Sequence, residues 1–314
     1  MSLLGSIYGS GVRLRNALYD RRVLPVSRLK GPVISVGNLS VGGSGKTPFV
    51  LLLGELLRQR NIPFDILSRG YGRSTSGIAP VDPDGTAQVY GDEAVLMARR
   101  SGAPVVIGEN RYEAGAFAEK KFGAQFHLLD DGFQHRSLAR DFEIVLLTQE
   151  DTADRLLPAG RLREPLTSLA RADAVVATSA VPAEQLELKN TLVWRVTRGI
   201  APIEAPQRPV AFCGIARPRS FFSDLRRAGI EPVAETAFPD HHAYTEADIQ
   251  RLMDLRRQVS GGGFVTTEKD SINLGELAVK LDPLAVAVVT MELADSANAV
   301  DTMLRTIRER KCAS

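Results

Sequence analysis

The sequence is short of cysteine and contains no long apolar run. Cys213 and Cys312 are the only cysteines among 314 residues, so they form neither metal-ligand spacing nor a disulfide framework. This usage is typical of a reducing cytoplasm. Because no run reaches about 18 apolar residues, we expect no transmembrane helix. We expect no signal peptide either, since Arg13 and Arg15 follow the first apolar stretch instead of preceding it.

The chain also has little excess of one charge. The net charge is +2, which does not predict a nucleic-acid partner. A hydrophobic content of 44% and a charged content of 24% are typical of a soluble globular protein. The length indicates one large or two medium domains, and we expect no obligate protein partner.

Positive charge is concentrated in residues 1–30, where Asp20 is the only acidic residue. The apolar residues of this segment recur partly at helical spacing. A basic amphipathic helix favours reversible contact with a membrane surface. The same pattern also fits a helix that packs on the core and leaves a basic face in solvent. The basic residues are Arg13, Arg15, Arg21, Arg22, Arg28 and Lys30.

The strongest motif is S-V-G-G-S-G-K-T at residues 40–47, between an apolar strand-like run at 32–38 and a helical pattern at 48–58. Strand, glycine-rich turn, Lys-Thr and helix form the setting of a Walker A phosphate loop. Ser40 stands where the general motif has its first glycine. Backbone N–H groups, a lysine and the helix N-terminus bind phosphate, and the threonine hydroxyl can hold Mg²⁺. The candidate residues are Gly42, Gly43, Ser44, Gly45, Lys46 and Thr47.

A second motif, H-L-L-D-D at 127–131, fits a Walker B strand that ends in carboxylates. A phosphate-bound Mg²⁺ needs an oxygen ligand on the strand beside the phosphate loop, and Asp130 or Asp131 can supply it. The alternative is that Asp131 caps a turn before Gly132.

Phosphoryl transfer to an alcohol also needs a base or a positioning group. Asp92 begins a predicted helix, so helix capping is its alternative role. His241 and His242 follow Asp240 in a loop of the second half of the chain, although a lone histidine is more often structural. A carboxylate that meets a histidine across two domains would form a base assembled on closure.

Arginines flank two glycine-containing loops. Arg69 and Arg73 bracket a Gly-Tyr-Gly turn, and Arg161 and Arg163 lie in L-P-A-G-R-L-R-E-P at 157–165. Guanidinium groups in such loops suit phosphate oxygens of a nucleotide or of an anionic substrate. Solvated loop charges are the alternative.

Short apolar strands alternate with helices along the chain, which predicts an α/β fold with a mostly parallel, P-loop NTPase-like sheet covered by helices on both faces. Residues 191–197 alternate like an exposed ribbon strand, and the proline-containing stretch 199–209 indicates a linker. We therefore predict a phosphate-loop domain at 1–200 and a smaller α/β domain at 201–314.

These motifs together resemble the tetraacyldisaccharide 4'-kinase family, the lipid A 4'-kinases of Gram-negative bacteria. The resemblance covers nearly the whole chain in order. It rests on residues 32–48, 68–73, 91–93, 130–135, 157–165, 238–242 and 266–270. In this family the loop centres on Gly-Gly-x-Gly-Lys-Thr-Pro, so Ser40 is no departure from the family pattern.

The resemblance implies transfer of the γ-phosphate of ATP, with Mg²⁺, to the 4'-hydroxyl of an acylated glucosamine disaccharide 1-phosphate. It implies two α/β/α domains joined by a β-ribbon, with the active site in the cleft. It also implies a peripheral enzyme on the cytoplasmic face of the inner membrane, with residues 1–30 as the membrane contact.

By motif, the resemblance carries specific roles to this chain. Lys46 and Thr47 bind phosphate and Mg²⁺, and Asp130 and Asp131 serve the metal. Asp92 is the base, supported by His241, which we choose over His242 because it directly follows Asp240. Substrate contacts are expected at Arg69, Arg73, Asn110, Gln134, His135, Arg163 and Glu164.

Three other P-loop classes are alternatives. A GTP-binding switch needs an Asn/Thr-Lys-x-Asp motif, and T-E-K-D at 267–270 has the wrong order. A partitioning ATPase carries a lysine early in the loop, where this chain has Ser40 and Val41. A ligase that acts on a small soluble acid has no use for a basic amphipathic N-terminus.

Overall fold

The computed structural model describes residues 3–178, 180, 181, 188 and 191–312, so residues 1 and 2 of the predicted membrane segment lie outside the described residues. The helices are α1 (Leu3–Asp20), α2 (Lys46–Arg58), α3 (Ala87–Tyr90), α4 (Asp92–Ser101), α5 (Arg111–Phe122), α6 (Pro218–Arg227), α7 (Glu246–Gln258), α8 (Glu268–Leu274) and α9 (Ser296–Cys312). The strands are β1 (Val33–Asn38), β2 (Phe64–Ser68), β3 (Ala79–Pro80), β4 (Val105–Ile107), β5 (Phe126–Asp130), β6 (Phe142–Leu147), β7 (Ala174–Ala177), β8 (Leu192–Ile200), β9 (Pro209–Cys213), β10 (Ala234–Ala237), β11 (Gly263–Thr267), β12 (Leu284–Ala287) and β13 (Val289–Leu293).

The larger sheet has the strand order β13-β8-β7-β6-β1-β5-β2-β4-β3 in the part of the chain that is described. The strands from β8 to β4 are parallel, and β13 and β3 pair antiparallel at the two edges. All residues of β1, β2 and β6 are buried, as expected for central strands that are covered on both faces. The predicted mostly parallel sheet is therefore confirmed.

The position of β1 determines where a ligand can bind. Its neighbours are β5 on one side and β6 on the other, and Val36 pairs with Asp130 in the register with β5. The chain passes from β1 to β2 on one side of β1 and later from β5 to β6 on its other side, and this reversal creates a crevice at the carboxyl ends of the strands. The loops that follow β1 and β5 therefore lie side by side.

The smaller sheet has the order β10-β9-β11-β12 with every pair parallel. It has its own core, in which the rings of Phe238, Tyr244 and Phe264 surround Phe212 edge-on. These aromatic contacts explain why the second half of the chain packs as a unit of its own.

The chain leaves the larger sheet through β8 and returns through β13, which pairs antiparallel with the second half of β8. The first half of β8 pairs with β7, and Trp194 is buried against Phe142. The predicted exposed ribbon strand is therefore partly a core strand.

The last helix also returns to the larger sheet. Met303 and Leu304 of α9 belong to the core that covers one face of that sheet, and Arg310 bonds Asp173 beside it. Because β13 and α9 bury their apolar faces there, the predicted division at residue 200 does not follow the packing at the C-terminal end of the chain.

Among the described residues, no helix is both long enough and apolar enough to cross a membrane.

Candidate active site

The predicted phosphate loop connects β1 to α2. Gly42 and Gly45 have φ values of +89° and +87°, a left-handed region that favours glycine. At Gly45 an added Cβ would lie 2.5 Å from Cε of Met291, the flexible end of a side chain, so the positive φ is what requires glycine there. The loop therefore ends in a tight glycine turn that directs the first N–H groups of α2 toward the crevice.

Ser40 needs no glycine conformation. It forms an isolated bridge with Leu162, and the neighbouring Val41 N–H donates to the carbonyl oxygen of Arg161 at 2.8 Å. These bonds hold the start of the loop extended against residues 161–163. The departure from the general Walker A motif is thus accommodated by a paired segment.

The Lys46 side chain contacts the end of β1 and the residue that follows β5. Its Nζ donates to Oδ1 of Asn38 at 3.2 Å and lies 3.5 Å from Oδ1 of Asp131. The neighbouring Ser44 Oγ is buried without a hydrogen-bond partner, and Thr47 is buried at the first turn of α2. A free buried hydroxyl beside a lysine is the local chemistry that an oxyanion would satisfy.

The two aspartates that follow β5 differ in their partners. Asp131 accepts two hydrogen bonds from Arg163, and although burial opposes ionisation, the charges of Lys46 and Arg163 hold its pKa far below the usual range. Asp130 accepts one bond, from Ser68 Oγ at 3.1 Å, and its buried Oδ1 has no partner. Burial, together with the charges of Glu93 and Asp131, raises the pKa of Asp130 to about 7.

These residues fit Mg²⁺. A cation at the unpartnered Oδ1 of Asp130 would stabilise the buried carboxylate, and Mg²⁺ prefers oxygen ligands. In the described part of the chain, no three His, Cys, Asp or Glu side chains are grouped so that they could hold a metal ion alone. Phosphate oxygens and water must therefore complete the coordination, as is usual for Mg²⁺ bound with a nucleotide.

Asp92, beside the larger sheet, contacts His241, beside the smaller sheet. Asp92 is the first residue of α4 and is 4% exposed; His241 Nδ1 lies 2.9 Å from its Oδ2, and Asn273 Nδ2 donates to the same oxygen at 3.0 Å. Burial raises the pKa of Asp92, but the bond from His241 and the charge of Lys269 outweigh burial and lower it. His241 itself lies in the left-handed region, with φ of 57°.

The neighbouring His242 has different surroundings. Its Nε2 lies 3.1 Å from Asp248, and its ring stacks on Phe238 with centroids 4.7 Å apart. The structure therefore places His241 at Asp92, as expected, and places His242 in the aromatic core of the smaller sheet.

The residues expected to contact substrate separate into two groups. Asn110 caps α5 by accepting from Tyr112 N and Glu113 N, and Glu164 is fully buried with bonds of 2.6 Å from Asn16 and 2.8 Å from Arg171. Glu164 is therefore held inside the fold, whereas Asn110 is an exposed helix cap, and a substrate contact at either residue stays a prediction. Arg69, Arg73, Gln134, His135 and Arg163 remain near the crevice.

Arg111 is a buried cation close to several of these residues, and the sequence analysis did not identify it. Arg111 at the start of α5 donates to the carbonyl oxygens of Gly108 and Glu109 at 2.8 Å, and its charge interacts with Asp130, Arg69 and Arg73. Burial and the positive charges around it lower the pKa of His135 to about 4, so its imidazole is neutral at physiological pH. A signal for Arg111 was its position directly after a predicted strand end.

A cavity of about 810 Å³ opens beside the phosphate loop. Gly43 and Ser44 form one wall, and Thr148 and Thr178, which follow β6 and β7, form another. Arg217 of the smaller unit lies at its edge. The cavity therefore continues the crevice from the phosphate loop toward the neighbouring strand ends.

A parallel sheet with a phosphate loop after its central strand, a paired carboxylate at the next strand end, and a carboxylate–histidine pair facing them define a P-loop phosphotransferase. Comparison with known proteins identifies the family. Residues 1–308 match the family model of Tetraacyldisaccharide-1-P 4'-kinase. The chain belongs to the tetraacyldisaccharide 4'-kinase family.

The relatives are similar over nearly their whole lengths. The tetraacyldisaccharide 4'-kinase of Koribacter versatilis is 51% identical over 99% of this chain and 100% of that protein. The one from Geobacter metallireducens is 38% identical, with 94% of each chain covered. The crystal structure of LpxK from Aquifex aeolicus in complex with ATP matches with a TM-score of 0.76 and 34% identity over 97% of each chain.

Family membership confirms the predicted activity. The protein is an ATP-dependent kinase of lipid A biosynthesis that uses Mg²⁺ and phosphorylates a sugar hydroxyl of a lipid A disaccharide precursor. The switch, the partitioning ATPase and the ligase are therefore not the function of this chain.

Proposed function

We propose that Asp92 is the general base that accepts the proton of the 4'-hydroxyl of tetraacyldisaccharide 1-phosphate, and that His241 supports it. The observation that carries this proposal is the 2.9 Å contact between the two side chains, which come from α4 and from the loop after β10. A carboxylate with a lowered pKa is a weak base, but phosphoryl transfer depends mainly on positioning and charge neutralisation.

The phosphate loop holds the nucleotide in this proposal. Backbone N–H groups from Gly42 to Lys46 surround the terminal phosphates, and Lys46 exchanges its contacts with Asn38 and Asp131 for phosphate oxygens. Thr47 and Asp130 would hold Mg²⁺, which, when bound, neutralises phosphate charge. The 810 Å³ cavity beside the loop receives the nucleoside.

The arginines that face the crevice bind the substrate's own phosphate. The charge of Arg111 interacts with those of Arg69 and Arg73, and Nη1 of Arg73 and Nε of Arg111 are buried without partners. Unpaired guanidinium nitrogens suit a phosphate monoester. The neutral His135 adds polar surface there without further charge.

During the reaction the 4'-oxygen attacks the γ-phosphorus, the bond to the β–γ bridging oxygen breaks, and the hydroxyl proton passes to Asp92. A positioned base contributes about 10²- to 10⁴-fold to the rate. Asp92→Asn is therefore expected to lower kcat by that factor while ATP binding, measured by calorimetry, changes little. Turnover of Asp92→Asn near the wild-type value would show that Asp92 is not the base.

We also propose that the protein attaches peripherally to the cytoplasmic face of the bacterial inner membrane through α1. One face of α1 packs on the body: Tyr8 donates to the carbonyl oxygen of Arg163 at 3.1 Å, and Arg136 lies over the ring of Tyr19. Ile7 and Leu14 are 61% and 63% exposed. One face of the helix thus packs on the core, and the exposed Ile7 and Leu14 support the proposal that another face contacts lipid.

A further inference from the structure

We propose that Lys269 is a positioning residue that sets the tautomer of His241 and holds the two sheets together around Asp92. This inference rests on the proposed role of Asp92 as the base. It assigns a task to the T-T-E-K-D segment at 266–270, which the site described above does not use.

The Lys269 ammonium lies between groups from both sheets. It donates to Oδ1 of Asp240 at 3.1 Å and lies 3.2 Å from Nε2 of His241, on the side of the smaller sheet. On the side of the larger sheet it lies 3.6 Å from Glu93 and 3.8 Å from Asp92. Its side chain is only 13% exposed, so these contacts are partly shielded from water.

The contact with His241 determines which ring nitrogen carries the proton. An ammonium group can only donate, so Nε2 of His241 must accept from Lys269. The proton of the neutral ring then sits on Nδ1 and is donated to Asp92, which lies 2.9 Å away. With Asn273 donating to the same carboxylate, one face of α8 orients both members of the pair.

The location of Lys269 is costly for its helix and is explained by these carboxylates. It lies in the first turn of α8, where the helix dipole disfavours a cation. Thr267 caps that helix, and the buried Asp270 accepts from Gly214 N and Tyr244 Oη. The capped, anchored segment therefore presents the lysine to the interface at a fixed position.

The charged and titratable groups around His241 are Asp92 and Glu93 on α4, Asp240 beside it, and Lys269 on α8; Tyr71 contacts its ring at 5.0 Å. Burial lowers the pKa of His241, Asp92 raises it, and Lys269 lowers it again, with a net increase. Removing the charge of Lys269 raises the pKa of both His241 and Asp92. If protonation of these two groups causes kcat to fall at low pH, that part of the pH profile, its acid limb, must then move to higher pH.

The test is the pH profile of kcat for Lys269→Met in the full-length kinase. We expect kcat at neutral pH to fall about 10- to 100-fold, which corresponds to one hydrogen bond between charged groups. The acid limb should move to higher pH, and KM for ATP should change by less than about threefold. Lys269→Arg keeps the charge and should restore the limb to its wild-type position.

Arg100→Met is the matched control, because Arg100 pairs with Glu268 at 2.7 Å between the same two helices without touching Asp92. Arg100→Met should leave the acid limb of the pH profile of kcat unchanged. If Lys269→Met lowers stability and kcat but does not move the limb, Lys269 is only a structural clasp and the proposal fails. An active Asp92→Asn would instead overturn the base assignment, so the two failures are distinguishable.

A wild-type measurement covers the case in which Lys269→Met does not fold. The ¹⁵N NMR signals of His241, assigned by their loss in His241→Gln, report the tautomer at pH 8.5. We expect a protonated Nδ1 and an unprotonated Nε2. A protonated Nε2 in the neutral ring would contradict the proposal.

Discussion

Arg163 donates two hydrogen bonds to Asp131, of 2.9 and 2.8 Å, while the adjacent Asp130 keeps a buried carboxylate oxygen without any partner. Two neighbouring aspartates of one motif thus have different surroundings. Asp131 is neutralised by protein cations, and Asp130 is available to a metal ion. Asp131 also has a left-handed backbone conformation, with φ of 49°.

The first prediction follows from this difference. Asp130→Asn should lower kcat by at least about 100-fold and raise the Mg²⁺ concentration for half-maximal activity, because metal charge stabilisation contributes several kcal/mol. Asp131→Asn should change the Mg²⁺ requirement less and destabilise the loop, since Arg163 and Lys46 lose their counter-charge. Mg²⁺ titrations of both variants check this; a larger shift in Asp131→Asn would reverse the assignment.

The two adjacent histidines allow a second prediction. His241→Gln should lower kcat about 10- to 100-fold with little change in stability, because it removes one bond to a charged group. His242→Gln should keep kcat and lower the free energy of unfolding by about 1 to 2 kcal/mol, because it removes a bond to Asp248 and a ring contact. Steady-state kinetics and urea unfolding measure both; equal losses of kcat would refute the distinction.

A third prediction concerns α1. The double substitution Ile7→Ser and Leu14→Ser should weaken binding to anionic vesicles at least about tenfold, because two exposed apolar side chains no longer enter the lipid. Val279→Ser is the matched control, since Val279 is 78% exposed on the smaller unit. Vesicle pelleting is the measurement, and equal pelleting of all three proteins would argue against attachment through α1.

A fourth prediction concerns a buried charge pair at the opposite end of the larger sheet. His127 lies 2.9 Å from Asp65 and 3.3 Å from Glu119. Burial opposes its charged form, but the two carboxylates outweigh burial and raise the pKa of His127 above its usual 6.5. Burial raises the pKa of Asp65 as well, so the native pair retains protons that the unfolded chain releases.

The sign of the pH effect follows directly. The stabilisation from protonated His127 is fully present below pH 6.5 and is lost as the pH rises through the higher folded-state value. Urea unfolding of the wild type should therefore show stability decreasing from pH 6 to pH 9 by more than in His127→Gln. Parallel curves for the two proteins would show that His127 is not responsible.

Much of the fold was predictable because its signals are local. The phosphate loop at 40–47, the carboxylates after β5 and the alternation of strands and helices are readable in sequence order, and the structure places the loop and the carboxylates at the same sheet edge. The return of β13 and α9 was not predictable, because apolar helical spacing does not specify which of two sheets a helix will cover.

Tertiary contacts in the candidate active site were likewise not predictable from local sequence. Glu164 and Asn110 look like polar loop residues in sequence, and only the packing shows that one anchors α1 while the other caps α5. Lys269 lies 177 positions after Asp92 in the numbering, and no spacing rule connects the two. Their approach depends on how the two sheets face each other.

The sequence by itself determined the phosphate loop, the strand-end aspartates and the family, since these reside in contiguous segments whose chemistry is local. The tertiary structure alone decided which aspartate keeps a free oxygen, which sheet α9 covers, and where Lys269 places its charge. Those outcomes depend on distances between residues far apart along the chain, and packing of the two sheets is what brings such residues within hydrogen-bonding range.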